Sequence, residues 1–263
     1  MAIQRPRREA LVPKVNILGV EVDDISGEKA VSKILKLAQD KTNFHYVVTV
    51  NPEFVMLGRK NAKFAKILAN ADLSLADGVG VVLAKLIFGG KVHSRITGVD
   101  LVEKLCQRAS EKAIVVGFLG GFGDVAKIVE KRQKSASPGL KLAYAGPDLE
   151  TISHDLRLDK ADLAKKRVDI LFVAYGMGRQ EFWIEKHKKL LNVGVAIGVG
   201  GAFDLLAGVK KRAPVFWQKA GMEWFWRLLM EPSRFRRMSV LPIFLVLVLA
   251  DFVKTRFLKF QKS

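Results

Sequence analysis

Cysteine is almost absent from this chain: Cys106 is the single thiol in 263 residues. One thiol supports neither a disulfide framework nor a thiolate metal site, and such usage suits a reducing cytoplasm. His45, His93, His154 and His187 stand apart, with no H-x-x-x-H or Cys/His spacing, so the common zinc motifs are excluded. Also missing is any D-x-D that would hold a divalent ion against a nucleotide diphosphate; Asp23 and Asp24 are adjacent. GGFGDV and GVGGAF both miss the G-x-G-x-x-G spacing, and no acidic ribose reader follows about twenty residues on, which argues against a nicotinamide cofactor. Neither a metal nor a cofactor is expected. No internal repeat or low-complexity tract occurs, and the N-terminus lacks the apolar core of a signal peptide, so secretion is not expected.

What the chain does have is charge and apolar bulk. The formal net charge is +18, with roughly half the side chains apolar, enough for one large α/β domain plus an appendage. From Leu206 onward twelve Lys/Arg face three acids, Glu223, Glu231 and Asp251. Such a segment wants a negative partner: nucleic acid, anionic lipid or a phosphorylated substrate.

Short β-rich apolar runs alternate with segments of helical period. HYVVTV (45–50), LSLA (73–76), AIVVGFL (113–119), LKLAYA (140–145), DILFVAY (169–175) and VGVAIGV (193–199) read as strands, and VNILGVEVDDIS as a small hairpin or edge strand. Strands alternating with helices imply crossover connections and a mostly parallel, Rossmann-like α/β sheet with helices on both faces. The expected organisation is a basic arm over 1–14, a catalytic domain over 15–208 and a helical, membrane-associating appendage over 209–263.

Ligands of open parallel sheets bind beyond the carboxyl ends of the strands. After HYVV stand Thr49, Asn51, Pro52 and Glu53. Asn51 reads either as a helix cap or as a ligand contact, and Thr49 as a core hydroxyl or a site group. After LSLA comes Asp77-Gly78, turn chemistry or a general base at the sheet mouth. Gly120, Gly200 and Gly201 lie between strands and helices, where they serve tight turns or let backbone amides approach a diphosphate. Gln180 and Glu181, in YGMGRQEFW, fall in a first helical turn, free to bind hydroxyls or to cap it. Arg95, before the Val99 helix, meets a phosphate or solvent.

The tail contains one apolar stretch, Val240–Ala250, eleven residues long with Pro242 near its start and Asp251 at its end. A spanning helix needs ~20 apolar residues, so this segment is not expected to cross a membrane. Arg234, Arg236 and Arg237 precede it and Lys254, Arg256, Lys259 and Lys262 follow, the pattern of a segment lying among anionic headgroups; a buried helix with a basic flank is the alternative. Nucleic acid is disfavoured because the basic residues lead into a Val/Leu run rather than interleaving with stacking aromatics. Apolar tails also drive self-association, so a homo-oligomer is among the expectations.

In order, TVNPE, LADGVGVV, RITGVDLVEKL, FLGG, YGMGRQEFW and GVGGAFDLLAGVKKRAPVFWQKAGMEWFWRLLMEPSRFRRM resemble the WecG/TagA/CpsF family of bacterial glycosyltransferases over roughly residues 15–238. The resemblance implies a Rossmann-like domain with a C-terminal appendage, acting without a metal. It implies inverting transfer of a sugar, N-acetylmannosamine or a related hexose, from a UDP-sugar to a polyprenyl-diphosphate-linked sugar at the cytoplasmic membrane face. Teichoic acid, enterobacterial common antigen and exopolysaccharide are the products of such enzymes. Residue by residue, it makes Asp77 the general base. Thr49 and Asn51 position donor and acceptor, Gln180 lies near the sugar, and Arg95 contacts phosphate. Arg227, Arg234 and Arg237 engage the acceptor diphosphate. The sequence departs from the family pattern at Gly178 and at Gly123-Asp124, where proline and Pro-Gly are common. Against this stand a nucleic-acid-binding α/β protein and a membrane scaffold without catalysis, which would have no use for Asp77.

Overall fold

A computed structural model describes residues 12–91, 96–146 and 166–260. Lys14–Ile17 (β1) and Val20–Asp23 (β2) form the expected antiparallel hairpin. Strands His45–Val50 (β3), Leu73–Ala76 (β4), Val115–Gly120 (β5), Lys141–Gly146 (β6), Val168–Ala174 (β7) and Val193–Gly198 (β8) build a six-stranded sheet in the order β4-β3-β8-β7-β5-β6. Every neighbouring pair in it is parallel.

The strands read as unbroken apolar runs because both faces are covered. On one face Val47, Ile170, Phe172, Val195 and Ile197 pack against Gly27–Gln39 (α1), Gly98–Glu111 (α5) and Val125–Ala136 (α6). On the other, Val48, Val50, Leu171, Val173 and Ala196 pack against Pro52–Lys60 (α2), Ala62–Ala69 (α3), Val79–Ile87 (α4) and Arg179–His187 (α7). Alternate residues of one strand thus serve different cores, and each fully buried aliphatic side chain contributes about 1.5–3 kcal/mol. The hairpin is tied to the sheet by two acids: Asp23 accepts from the Ser74 amide at 2.7 Å, and Asp24 pairs with the buried Lys85 ammonium at 2.8 Å.

After β8 the chain continues through Ala202–Leu206 (α8), Val215–Lys219 (α9), Glu223–Met230 (α10), a 3-10 turn Pro232–Arg234, Phe235–Met238 (α11) and Val240–Phe260 (α12). The tail differs from the sequence reading. Helix α12 runs 21 residues, through Asp251 and past the basic cluster, or about 31 Å at 1.5 Å per residue. Pro242 lies in its first turn, where no intrahelical N–H partner is lost. Length therefore no longer argues against a crossing, since Pro232–Arg256 is long and apolar enough by length and composition. The helix is partly embedded in the protein as well: Phe244 and Val248 are buried in the second core, while Leu245, Val246, Leu249 and Val253 are exposed.

Candidate active site

The carboxyl edges of β3, β4 and β8 meet at one mouth. Buried Thr49 donates from Oγ1 to the Gly198 carbonyl at 3.1 Å, coupling the ends of β3 and β8. Asn51 caps α2, its Oδ1 accepting from the Phe54 amide at 3.1 Å, with Pro52 opening the helix as the fixed proline φ favours. At the end of β4 the Asp77 amide donates to the Val50 carbonyl at 2.8 Å, which draws the half-buried aspartate beside Asn51. Gly78 turns there at φ +105°, a left-handed value, and a Cβ at that point would lie 3.8 Å from the Asn51 Cβ. Thr49, Asn51 and Asp77, distant in sequence, thus share one edge.

Gln180 and Glu181 are buried behind this edge and form a relay. Gln180 Nε2 donates to Glu181 Oε1 at 2.6 Å, Gln180 Oε1 accepts from the Gly200 amide at 2.9 Å, and Glu181 Oε2 accepts from the Gly178 amide at 2.6 Å. Gly198 has to be glycine here: a Cβ would stand 2.5 Å from Gln180 Nε2. Burial pushes the Glu181 carboxyl up to about 7, against the pull of the hydrogen bonds from Gln180 and Gly178. Gly178 has φ +82°, which proline cannot adopt. Of the glycines singled out in the sequence, Gly200 already spends its amide on Gln180. Gly120 closes β5 at φ +99°, two strands away from β8, with Tyr175 packed against it. Gly201 is exposed and lines the pocket described next.

The appendage folds back onto this mouth. Arg212 donates from Nη2 to Asp100 Oδ1 at 2.5 Å, fastening the appendage to the first turn of α5. Burial raises the Asp100 carboxyl, but Thr97 and Arg212 outweigh it and hold the group below the ordinary carboxylate range. Gly98, next to the Thr97 cap, packs so closely on β8 that a Cβ would lie 2.9 Å from the Val199 carbonyl oxygen. Gly221 lies on Val79, just past the Asp77-Gly78 turn, with room for only 3.1 Å to a built Cβ. Arg237 reaches Glu53 of α2 through Nε at 3.0 Å and Nη2 at 2.7 Å.

Beside the mouth is a pocket of 220 Å³ lined by Gly201, Lys210, Lys211, Trp226, Arg227 and Arg234 among others, with Glu231 its one acid. Arg227 pairs with buried Glu223 at 3.0 Å, and Arg234 with Glu231 at 2.9 Å. Trp226 Nε1 and Arg227 Nε are buried donors with no hydrogen-bond partner among the described residues. The structure therefore gathers Gly201, Arg227 and Arg234 in one pocket and sends Arg237 to a different carboxylate, on the α2 side. Arg95 lies outside the described residues. Among the described residues no three His, Cys, Asp or Glu side chains converge as a metal-binding group. Lys210, Lys211, Arg212 and Trp226 were not singled out from sequence; only the KKRAP run and the following Trp-rich block signal them.

Over most of its length the chain is similar to bacterial proteins that carry a name. A Bacillus spizizenii protein is 36% identical over 211 residues, covering 80% of each chain, and one from Staphylococcus aureus is 31% identical over 237 residues, covering 88% of this chain and 91% of its own. A third, from Bacillus subtilis, is 32% identical over 206 residues, 78% of this chain and 79% of that one. All three are named N-acetylglucosaminyldiphosphoundecaprenol N-acetyl-beta-D-mannosaminyltransferase. The class these likenesses define is a glycosyltransferase. Residues 15–257 match the family described as glycosyl transferase WecG/TagA/CpsF, and the chain belongs to that family.

Proposed function

We propose that this chain transfers N-acetylmannosamine from a UDP-sugar to N-acetylglucosaminyl-diphospho-undecaprenol, with inversion and without a metal, at the cytoplasmic face of the membrane. The observation that carries the reading is the junction of Asp77, Asn51 and Thr49 at one sheet edge, with a cationic appendage fastened beside it. The names of the relatives supply the acceptor and the sugar.

In this reading Asp77 takes the proton from the acceptor hydroxyl as that oxygen attacks the anomeric carbon. A sugar hydroxyl is a poor nucleophile until a base in hydrogen-bond reach removes its proton. The bond to the UDP oxygen breaks as the new glycosidic bond forms, and a single displacement inverts the configuration. Thr49 and Asn51 orient the reacting groups, and Gln180, buried and bonded to Glu181 and Gly200, holds the β8 loop rather than the sugar. Negative charge builds on the departing diphosphate, where Arg95 and the amides near Gly120 and Gly201 stabilise it, the Gly200 amide being held by Gln180. Arg227, Arg234 and Arg237 receive the acceptor diphosphate by exchanging carboxylate partners for phosphate oxygens, for which guanidinium geometry is suited.

The test is transfer to a synthetic N-acetylglucosaminyl-diphospho-lipid from a panel of UDP-sugars, with a chelator present and Asp77→Asn run in parallel. Transfer from UDP-N-acetylmannosamine that survives the chelator and collapses in the variant is expected. Transfer from a UDP-hexose alone would move the enzyme to exopolysaccharide assembly. Undiminished activity of Asp77→Asn would remove Asp77 as base.

A further inference from the structure

We infer that Glu231 is a built-in counter-ion of the cationic pocket: between turnovers its carboxylate stands where a phosphate group of the acceptor binds, and by competing for the same cations it lets the product's diphosphate leave. The inference rests on the reading above that the acceptor diphosphate enters this pocket, and it adds a residue and a role in release.

The pocket lining carries four cations, Lys210, Lys211, Arg227 and Arg234, and a single acid. That acid is held from two sides. Arg234 Nε lies 2.9 Å from Glu231 Oε2, and Lys210 Nζ lies 3.3 Å from Oε1. Burial pushes the Glu231 carboxyl up, but Arg234 and Lys210 outweigh it and hold the group below its ordinary range, so it is a carboxylate at neutral pH. An oxyanion bridged by a guanidinium and an ammonium is the arrangement a phosphate group would take with the same two side chains.

Local chain chemistry puts the acid there. Helix α10 stops before Glu231, which has φ −134° and ψ 80°, because Pro232 disfavours helical backbone in the residue that precedes it. The next turn closes with the Arg234 amide donating to the Glu231 carbonyl at 3.0 Å, which brings the guanidinium round to the carboxylate. Lys210 comes from a different segment and is also paired with Asp204 at 3.1 Å, so it keeps a carboxylate when Glu231 withdraws. The Glu231 side chain is 29% exposed, against 4% for Glu223 beside Arg227, so it can turn out into water, where an ionised carboxylate is well solvated. Lys211 makes no ion pair among the described residues and adds its pull on an entering anion.

The reaction gives this competition a purpose. Transfer alters a hydroxyl of the acceptor sugar and leaves the diphosphate as it was, so the four cations would grip substrate and product alike. Such uniform binding lowers KM without raising kcat. A tethered carboxylate, present at high local concentration, reoccupies Arg234 and Lys210 as the diphosphate departs, and the net grip is reduced to the difference between two ion pairs.

The test uses the full chain and a water-soluble, short-chain prenyl-diphospho-N-acetylglucosamine, without donor. Affinity is measured by calorimetry and dissociation by stopped flow for wild type, Glu231→Gln, Glu231→Asp and Arg234→Ala. Glu231→Gln is expected to bind the analogue on the order of fivefold more tightly and to release it more slowly by a similar factor, the worth of one partly exposed charge contact. Glu231→Asp keeps the charge on a shorter arm and should fall between, which gives a second variant with the same sign. A damaged pocket loses affinity, so a gain separates this role from a structural one. With donor present, KM for the acceptor should fall in Glu231→Gln while kcat does not rise. Weakened binding in Arg234→Ala together with equal or weaker binding in Glu231→Gln would overturn the inference and leave the diphosphate in the pocket. Undiminished binding in Arg234→Ala would move the diphosphate out of the pocket and overturn both readings.

Discussion

The Glu181 carboxyl gives a prediction whose size follows from the structure. It is fully buried and held at about 7, against an ordinary value of 4.5. Between those values the folded chain keeps a proton that the unfolded chain has released, so the unfolded state binds fewer protons and stability falls as pH rises. One unit corresponds to 1.36 kcal/mol, so moving from pH 5 to pH 8 removes about 2–3 kcal/mol through this single group. Glu181→Gln abolishes the titration. It also sets one amide against another at Gln180, an offset of about 1–3 kcal/mol that does not vary with pH. The assay is urea unfolding of wild type and variant at both pH values. The two stability curves should converge as pH rises, because all other titrating groups are shared and cancel. Parallel curves would show that Glu181 ionises normally and that the buried relay is drawn wrongly.

Other consequences can be checked alongside. Asp77→Asn should lower kcat by roughly 10²–10⁴-fold, the usual contribution of a general base, with an unchanged circular dichroism spectrum. Gly98→Ala would push a methyl group against the Val199 carbonyl oxygen, 2.9 Å away, and should cost about 1–3 kcal/mol in unfolding experiments. Arg237→Ala breaks a half-exposed ion pair with Glu53, so unfolding should move by less than about 1 kcal/mol while KM for the lipid acceptor rises. Phe244→Ala empties a buried site, costs about 3–5 kcal/mol locally and should expose α12 to proteolysis before the sheet unfolds.

How much of this was legible beforehand depended on the range of the forces involved. Strands such as DILFVAY were readable because a parallel strand covered on both faces must be apolar throughout, and Asn51-Pro52 announced a helix start through local cap chemistry. The length of α12 was misjudged because Asp251 looked like an end. A helix already nucleated and docked through Phe244 and Val248 simply carries that acid on a partly exposed position.

The sequence by itself determined the alternation of strand and helix, the basic appendage and the residue types at each strand end, since these follow from periodicity and short-range sterics. Only the tertiary structure decided that β4, β3 and β8 lie side by side, which brings Asp77 to Asn51 and Thr49 to Gly198. It also decided that Arg237 reaches Glu53, 184 residues away, and that Glu181 is buried enough to hold its proton near neutral pH. Desolvation and long-range pairing depend on what the rest of the chain places around a group, and no local pattern encodes that.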